Sequence, residues 1–550
     1  MASPSLSPRV WLFACALALV TLAGCDDTPA PVVDAGTSPV EDSGTVDAGP
    51  EPWDGGYTVL EERGDWLDRG PHAPCTLNPG TTPSCDDLTP SMFDLSSCDA
   101  DALASVEPHG IYQAGMRAET VAQDGGTTVL FSAVGFMLHS DGGADTLATR
   151  PVVTRHTDGG TFFIASRPPS TPSTNFAFAG CKTPSPGVIT GCFIRCVSGR
   201  FSRTGTFEAH RMAWPPGEAE SSGGLVLRSE SRVELGQPAD IYVTKDHAYV
   251  VSLDRPGRAG GLTVFDVSDR SHPVFKTSIS IPGDSNWNGA WALGDALYVA
   301  SDVSGTIVYD ISRPAEPAFL RALPSGQYGV HTVLVDGDRL YAADNEGLTR
   351  VYDVSRPLDP VLRQTISLDS VLAAGGSPHD HFAYQGRLYI NNTYAGFSIV
   401  DVSNLDDVRH LGQYVHGSYS HHSAVGTFAG RTIAFEGGEF AASHLRVLDV
   451  TDPAHIVKIG EHRKRPVSSI HNMILRGDRL YIAWYQEGLR VLDVSNPTKP
   501  REVAHFNTFR ESDPGRSDGI FVGAYGIRIP GDDFLYVVES ARGLLILDEP

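Results

Sequence analysis

A short segment recurs seven times between residue 222 and the C-terminus, and this repeat constrains the fold more than any other feature of the chain. Most copies read as a glycine, an alternating apolar run, and an aspartate near a small hydroxyl residue, as in GLTVFDVS from residue 261. The repeated aspartates are Asp266, Asp310, Asp353, Asp401, Asp449, Asp493 and Asp548, which lie 43 to 55 residues apart. A period of about 45 residues, with several short strands in each unit, predicts the blades of a β-propeller.

The third unit illustrates how one repeat divides into four strands. GVHTVLV, RLYAAD and LTRVYDVS are strand-like runs, and an Asp-Gly-Asp turn separates the first two. Pro360 is the first residue of the fourth run, PVLRQTISL. Proline cannot donate a hydrogen bond to a neighbouring strand, so its position here fits the start of an edge strand. We predict that the repeated aspartate caps the following turn through hydrogen bonds from the backbone, which is a structural role and not a catalytic one.

The seventh unit stops at Pro550, directly after its third strand. The segment GLVLRSESRVEL, residues 224–235, precedes the first unit and can supply the missing fourth strand. Closing the ring in this way removes open sheet edges. The sequence therefore predicts a seven-bladed β-propeller over residues 222–550.

The motif GL-hydrophobic-x-hydrophobic-D-V-S-x-P in these units resembles the LVIVD-repeat family, which occurs in bacterial surface and exported proteins and is associated with propeller folds. The resemblance covers about residues 222–550. It implies a fold but no activity, because the family has no shared catalytic motif that could be carried over. The fourth unit departs from the motif with Leu405 and Val408 where prolines are usual, and the fifth unit lacks the leading glycine.

The N-terminus has the anatomy of a lipoprotein signal peptide. Arg9 precedes an apolar run from Val10 to Leu22. The residues Leu-Ala-Gly then come directly before Cys25, as in a bacterial lipobox. We predict a signal peptide over residues 1–24, lipid attachment at Cys25, and anchoring in the bacterial cell envelope, in either the inner or the outer membrane. The alternative is an ordinary secretory signal with a chance cysteine. Residues 25–66, rich in Pro, Gly, Ala and acidic side chains, then predict a disordered tether.

Residues 67–221 contain alternating apolar runs separated by Asp-Gly-Gly and Ser-Gly turns, which predicts a small antiparallel β domain. This region holds six cysteines: Cys75, Cys85, Cys98, Cys181, Cys192 and Cys196. In an exported protein they favour disulfide bonds, with no pairing chosen, over a metal site at the last three. The whole chain is therefore predicted to be all-β, with this disulfide-rich domain preceding the propeller.

The charge and the motifs exclude several classes of function. Lys and Arg number 42 against 66 Asp and Glu, a formal charge of −24, which excludes nucleic acid as a partner. The chain has no phosphate-binding G-x-x-x-x-G-K-[ST] loop and no H-E-x-x-H motif.

Histidines recur at one level of the inner strands. Ten residues before the Leu-Tyr tyrosine lie His331, His379 and His471, and a one-residue longer hairpin places His422, preceded by His421, at the same level. Asn288 and Tyr525 occupy this level in the second and seventh units. Four blades would then present an imidazole near one mouth of the central channel.

Three interpretations of these histidines stay open. They bond to backbone at blade junctions, or they bind one transition metal such as Zn, Cu or Fe with support from Asp380 and His381. Alternatively, the mouth binds an organic ligand or peptide against flat side chains, for which the candidates are Trp287, Asn288, Trp291, Tyr419 and Tyr525. Glu436 and Glu439 form the one carboxylate pair expected near this level. We predict a binding or scaffolding module for an envelope protein or small molecule, with a metal-dependent hydrolase or oxidoreductase as the alternative; the sequence leaves enzymatic activity open.

Overall fold

The structure, a computed structural model, describes residues 53–121, 125–166 and 174–550. The predicted signal peptide, Cys25 and most of the predicted tether lie outside these residues. In the described parts of the chain there is no helix with the length and apolarity that crossing a membrane requires.

The N-terminal domain is a closed antiparallel sheet of eight strands. Short elements precede it: β1 (Thr76–Leu77), a 3₁₀ helix (Pro90–Met92), β2 (Phe93–Asp94), which pairs with β1, and α1 (Ala100–Ala104). The eight strands are β3 (Gly110–Val121), β4 (Thr127–Leu138), β5 (Thr146–Leu147), β6 (Arg150–His156), β7 (Phe163–Ser166), β8 (Thr174–Ser185), β9 (Val188–Val197) and β10 (Arg200–Arg211). Neighbouring strands pair in chain order, and β10 returns to pair with β3. Stacked rings such as Phe178 and Phe207, 4.6 Å apart, fill the interior.

Three disulfides join the irregular segment before the barrel to strands β8 and β9. The pairs are Cys75–Cys192, Cys85–Cys196 and Cys98–Cys181. The bridged cysteines are part of a second apolar cluster with Phe93 and Phe163. The prediction of disulfides is confirmed, and the same bonds occupy the cysteines that a metal site would have needed.

The C-terminal domain is a seven-bladed propeller whose blades each contain four antiparallel strands. Strand β11 (Leu227–Ser231) comes first in the chain. Blade I holds β12 (Gln237–Thr244), β13 (His247–Leu253), β14 (Gly261–Asp266) and β15 (Val274–Ile279). Blade II holds β16 (Trp287–Leu293), β17 (Ala296–Ser301), β18 (Gly305–Asp310) and β19 (Ala318–Leu323). Blade III holds β20 (Val330–Asp336), β21 (Arg339–Asp344), β22 (Leu348–Asp353) and β23 (Val361–Ser367), and α2 (Asp369–Ala373) follows it.

The remaining blades follow the same order, from the inner strand outward. Blade IV holds β24 (Asp380–Tyr384), β25 (Arg387–Asn391), β26 (Phe397–Asp401) and β27 (Arg409–Tyr414). Blade V holds β28 (Ser420–Phe428), β29 (Arg431–Gly438), β30 (Leu445–Asp449) and β31 (Val457–His462). Blade VI holds β32 (Met473–Arg476), β33 (Arg479–Trp484), β34 (Gly488–Asp493) and β35 (Arg501–Phe506). Blade VII holds β36 (Ala524–Arg528), β37 (Phe534–Glu539) and β38 (Gly543–Asp548), with β11 as its outer strand.

Strand β11 closes the ring because it pairs antiparallel with the last strand of the chain, β38. Leu227 lies opposite Leu547, and an ion pair joins Arg228 to Asp548. The segment 224–235, identified from the sequence as the candidate for this role, contains β11.

The repeated aspartates cap turns, as the sequence predicts. In six blades the aspartate Oδ1 accepts a hydrogen bond of 2.7 to 3.0 Å from the backbone N–H two residues later. The pairs are Asp266–Ser268, Asp310–Ser312, Asp353–Ser355, Asp401–Ser403, Asp449–Thr451 and Asp493–Ser495. These turns and the first hairpin of each blade form one end of the propeller, which we call the turn face. The opposite end, with the starts of the inner strands and the loops between second and third strands, is the loop face.

A tyrosine of the second strand joins blade I to blade II and blade II to blade III. The Tyr249 hydroxyl of blade I donates to the Pro314 carbonyl of blade II at 3.0 Å, and that of Tyr298 in blade II donates to the Pro357 carbonyl of blade III at 2.7 Å. Both tyrosines are fully buried. These tyrosine and proline residues of blades I to III are therefore framework.

The barrel packs against loops of the loop face at blades VI and VII. The Glu511 carboxylate accepts from the Ile111 N–H at 2.7 Å and pairs with Arg211 at 3.0 Å. Ile111 also packs with Val467, Phe509 and other buried apolar side chains between the two domains.

Residues 53–66 differ from the expectation of a disordered tether, because they lie along blade V. The Leu60 N–H donates to the Lys458 carbonyl of strand β31 at 2.8 Å, and Trp53 enters the blade core. Glu62 and Asp65 pair with the buried Arg446 at 3.0 and 2.7 Å. Acidic composition alone suggested a solvated segment, but its partners are cations on the blade. The tether prediction therefore extended too far toward the barrel.

Candidate functional site

One residue from the start of each inner strand forms a ring around the channel at the loop face. Around the ring these residues are Ala239, Asn288, His331, His379, His421, His471 and Tyr525. In blades I, II, III, V and VII a β-bulge in the inner strand coincides with this residue. A bulge inserts an unpaired residue and re-aims its side chain, which explains why these side chains point at their neighbours in the next blade. We call the set from Asn288 to Tyr525 the imidazole ring.

The members of the imidazole ring contact each other in sequence. His331 Nε2 lies 2.9 Å from His379 Nε2, and the Asn288 amide donates to His331 Nε2 at 3.2 Å. Ring centroids are 4.1 Å apart for His379 and His421, and 4.5 Å apart for His421 and His471. The His471 ring then lies 4.6 Å from that of Tyr525.

Backbone carbonyls fix the orientation of two of these rings. His421 Nδ1 lies 3.1 Å from the His471 carbonyl, and His471 Nδ1 lies 3.0 Å from the Tyr525 carbonyl. Because a carbonyl only accepts, each Nδ1 carries the proton and each Nε2 carries a lone pair. The first interpretation of the histidines, bonding at blade junctions, therefore describes one nitrogen of each of these rings and leaves the other for a ligand.

Burial keeps the imidazoles neutral. It lowers the pKa of His379 to about 3, and burial with the neighbouring His379 lowers the pKa of His331 to about 4. Burial and the surrounding histidines also hold the pKa values of His421 and His471 well below the ordinary range. Neutral imidazole is the form that binds metals or accepts hydrogen bonds.

Five aromatic side chains from blades IV to VII form a row of contacts beside the ring. Successive centroid distances are 5.0 Å for Tyr394–Tyr419, 4.9 Å for Tyr419–Phe440, 5.3 Å for Phe440–Phe521 and 5.7 Å for Phe521–Tyr485. We call these five residues the aromatic rim. Tyr419 also contacts His379, and Tyr485 contacts His471. Tyr394 and Phe440 are exposed, so the rim offers apolar surface to a ligand.

The loop between β29 and β30 brings a carboxylate to the ring. Blade V lacks the glycine that leads the third strand elsewhere, and six residues, from Glu439 to His444, connect its two strands. Phe440 and Ala442 have φ angles of 84° and 69° there, a strained region for residues with a side chain. Non-glycine residues in this region are enriched at functional sites.

Glu439, the acidic residue of this loop, faces the ring histidine His421. Its Oε1 accepts from the Tyr485 hydroxyl at 2.5 Å, and its Oε2 lies 3.9 Å from His421 Nε2. Burial raises the pKa of Glu439 to about 7, against the opposing effect of the Tyr485 hydrogen bond. His379, His421 and Glu439 each offer one ligand atom, and the three atoms lie within 4.8 Å of one another.

A second set of buried polar side chains lies close to the ring. Its members are Asp240, Asp380, His422 and Arg528. Burial raises the pKa of Asp240 to about 6 and also raises that of Asp380. The Arg528 guanidinium lies 4.3 Å from the Trp291 ring centroid. Acidic and basic side chains are therefore both buried near the imidazole ring.

The structure assigns the sequence candidates to different places. His331, His379 and His471 lie in the ring with Asn288 and Tyr525, and Tyr419 lies in the rim. The bulge between Ser420 and His422 puts His421 at this level, so the alignment to His422 was shifted by one residue.

Three other candidates lie away from the mouth. His381 bonds through Nε2 to Thr349 Oγ1 at 2.7 Å between blades III and IV. Trp287 is fully buried in the core shared by blades I and II. Glu436 faces His416 and Arg446, and not the ring, so Glu436 and Glu439 do not act as a pair.

Sequence reasoning did not identify Tyr394, Phe440, Tyr485 and Phe521 as part of the site. The first three occupy the loop after the second strand of blades IV, V and VI, just before the third strand. An aromatic residue at this position in three adjacent units is the signal that could have identified them.

Comparisons with known proteins bear on the propeller. The family model described as LVIVD repeat matches residues 236–280, 288–322 and 470–508. The chain carries LVIVD repeats. The matched segments coincide with blades I, II and VI, and the resemblance seen in the sequence is confirmed.

Among solved structures, the LVIVD-repeat propeller is similar to the WD40 β-propeller domain of Doa1, with a TM-score of 0.43 and 9% identity over 60% of this chain and 98% of that chain. It is also similar to U3-55K, with a TM-score of 0.45 and 8% identity over 59% of this chain and 98% of that chain. No curated protein matches the chain.

Proposed function

We propose that the protein is an exported, lipid-anchored module of the bacterial cell envelope that binds a ligand at the loop face of its propeller. The observation that carries this proposal is the aromatic rim above the buried imidazole ring, on loops supported by seven blades. An apolar mouth with a few converging polar groups is the usual form of a binding site. The three disulfides support export, because such bonds persist in oxidising compartments.

The chemistry of the mouth favours a neutral or cationic ligand over an anion. Its imidazoles are neutral, Glu439 and Asp380 lie beneath it, and the whole chain has a formal charge of −24. Aromatic faces attract cations and stack on flat groups. A small molecule with an amine or planar group fits this mouth, as does a basic or aromatic side chain of an envelope protein.

A thermal-shift screen of amino acids, dipeptides, sugars and quaternary amines tests the binding proposal. The informative variant is Tyr394→Ser with Phe440→Ser, which removes the exposed part of the rim. The matched control is Phe275→Ser with Phe319→Ser, which removes two similarly exposed rings from outer strands β15 and β19. We expect a ligand that raises the melting temperature of the wild type and the control but not of the rim variant. A ligand that stabilises all three proteins equally would place binding elsewhere.

Lipid anchoring is tested by Cys25→Ser in a bacterial host fed an alkyne fatty acid. We expect the wild-type chain to take up the label and sediment with membranes, and the variant to lose both properties. Membrane association without labelling of the wild type would contradict the anchor.

A metal-dependent enzyme, a hydrolase or an oxidoreductase, is the second candidate. It is favoured by the convergence of two imidazoles and the Glu439 carboxylate beneath a mouth that reaches solvent. Ester, phosphoester and amide hydrolysis and dye-linked oxidation can be screened with Zn²⁺, Fe²⁺ or Cu²⁺ present. Turnover that Glu439→Gln abolishes and Glu346→Gln retains would support this candidate. Turnover that both variants retain would assign the activity to another site.

A further inference from the structure

We propose that His379, His421 and Glu439 form a three-ligand site for a divalent transition metal of the zinc or iron(II) class. The three ligand atoms lie within 4.8 Å of one another, beneath the aromatic rim. Two imidazoles and one carboxylate are a ligand set that zinc and non-haem iron(II) both use, and it leaves coordination positions open. The inference concerns the same mouth as the proposed function, but it needs no organic ligand.

The spacing of one ligand pair is close to the spacing around a bound metal. Ligands at about 2.1 Å from a tetrahedral metal lie about 3.4 Å from each other. His421 Nε2 and Glu439 Oε2 are 3.9 Å apart, so a shift of about half an ångström brings them to ligand spacing. Glu439 is on the strained loop of blade V, and a side-chain rotation there is sufficient for the shift.

His421 presents a buried lone pair without a hydrogen-bond partner among the described residues. Its side chain is 1% exposed, and its Nδ1 is occupied by the His471 carbonyl at 3.1 Å. Its Nε2, which faces Glu439, has no hydrogen-bond partner in the described part of the chain. Nearly all buried polar atoms are paired, so a bound cation explains an atom that the protein itself leaves unpaired.

Neighbouring groups orient the ligands as they do in known metal sites. Metal-binding histidines usually donate their other N–H to a carbonyl or carboxylate, and His421 does so to His471. The Tyr485 hydroxyl holds Glu439 Oε1 at 2.5 Å, which leaves Oε2 directed at His421. Tyr485 is therefore a positioning residue for the carboxylate.

His331 holds the neighbouring ligand His379 in place. Its Nε2 lies 2.9 Å from His379 Nε2, which is the spacing of a hydrogen bond between the two imidazoles. Imidazole nitrogens suit zinc and iron, whereas calcium and magnesium prefer an all-oxygen shell. The chemistry of the ligand set thus selects a transition metal.

Metal binding to the mature full-length chain, purified through a tag without histidines, tests the site. The protein is stripped with a chelator, titrated with Zn²⁺ and separately with Co²⁺ as a spectroscopic probe, and analysed for bound metal after gel filtration. The test variants are Glu439→Gln, which keeps an acceptor for Tyr485, and His421→Asn. The controls are Glu346→Gln, an exposed carboxylate on the equivalent loop of blade III, and His455→Ala, an exposed histidine. Circular dichroism and the melting temperature verify folding of each protein.

We expect one equivalent of metal in the wild type and both controls, and a loss of affinity of at least about 10-fold in both test variants. The cobalt spectrum should report a nitrogen- and oxygen-ligated ion in the wild type. The site is refuted if the folded wild type retains no metal, or if the test variants bind as tightly as the controls. The rim variant Tyr394→Ser with Phe440→Ser should keep the metal, so failure of the metal site and failure of ligand binding are separate results.

Discussion

The two faces of the propeller are built from the same repeat, but they differ in whether the same residue recurs from blade to blade. On the turn face of six blades, an aspartate Oδ1 accepts a hydrogen bond from the backbone N–H two residues later, at nearly the same distance in each blade. On the loop face, the equivalent residue is Ala239, Asn288, a histidine in four successive blades, and Tyr525. The six blades in which the chain turns from the third strand into the fourth all use the first arrangement. The second differs between blades that fold alike, so its chemistry is available for function.

Blade V shows the difference most clearly. Its turn face is regular, with Asp449 capping Thr451 at 3.0 Å. Its loop face lacks the leading glycine, contains two strained residues and presents Glu439 to the ring. Asp65, from the segment before the barrel, contacts this loop through His444 Nδ1 at 2.9 Å. A blade that departs from the repeat is thus the blade that brings a carboxylate to the ring.

The largest effect is expected from opening the ring, which removes the framework common to both faces. Replacing residues 225–231 by a Gly/Ser linker of equal length deletes β11 and exposes the β38 edge. We expect a loss of at least about 3 kcal/mol in the free energy of unfolding, since removing the buried Leu225 side chain alone costs roughly 2 to 5 kcal/mol. Chemical denaturation measures this effect.

The matched control replaces β19, the largely exposed outer strand of blade II, in the same way. Its loss leaves the ring closed and should cost less than the loss of β11. Equal costs would contradict a special role for the closing strand.

A pair of variants, one on each face, should separate stability from binding. Asp401→Ala removes a turn cap and is expected to cost about 1 kcal/mol of stability while leaving metal affinity unchanged. Glu439→Gln should leave the melting temperature nearly unchanged and lower metal affinity. Denaturation and metal titration of both proteins measure the two effects, and the comparison fails if Asp401→Ala weakens metal binding as much as Glu439→Gln does.

Acid should release residues 53–66 from blade V. Burial would raise the pKa of Asp65, but the His444 hydrogen bond and the Arg446 charge outweigh it and lower the pKa from 3.8 to about 2. For Glu62, Arg446 and Lys458 likewise outweigh burial and lower the pKa from 4.5 to about 2. Because both folded pKa values are depressed, the stabilisation is complete above about pH 5 and is lost as the pH falls toward 2.

Hydrogen exchange of residues 53–66, corrected for intrinsic rates, measures this release. The double variant Glu62→Gln with Asp65→Asn should exchange rapidly at neutral pH as well. Protection that is independent of pH in the wild type would show that the ion pairs do not hold the segment.

The smallest effect is expected from relieving strain on the loop face. Ala442→Gly permits the φ of 69° without a Cβ, and we expect a gain of about 0.5 kcal/mol after the greater entropy of glycine in the unfolded chain is subtracted. Denaturation measures the change. A clear loss of stability would mean that the loop is not strained at this position.

The sequence predicted those structural features that depend on residues close together in the chain. The period, the aspartate turns and the proline breaks predicted the blades, because each depends on a few neighbouring residues. The level of the ring was predicted to within one residue. The error at His422 arose because the bulge before it inserts a residue, and a bulge leaves no signature in the alternation of side chains.

Structural features that depend on contacts between residues far apart in the sequence could not be predicted. Six cysteines allow many pairings, and alternating runs do not reveal whether a sheet closes into a barrel. The acidic segment 53–66 gave no hint that Arg446, almost 400 residues later, is its partner. Glu439 was noted, but its approach to His421 required the loop conformation, in which Phe440 and Ala442 adopt positive φ.

X-ray diffraction at the zinc absorption edge, from crystals of the mature chain loaded with one equivalent of Zn²⁺, tests the central claim most directly. The account predicts one anomalous peak on the loop face, about 2 Å from ligand atoms of His379, His421 and Glu439. A map with no peak among these three side chains, or with the zinc bound only at another part of the surface, would contradict it.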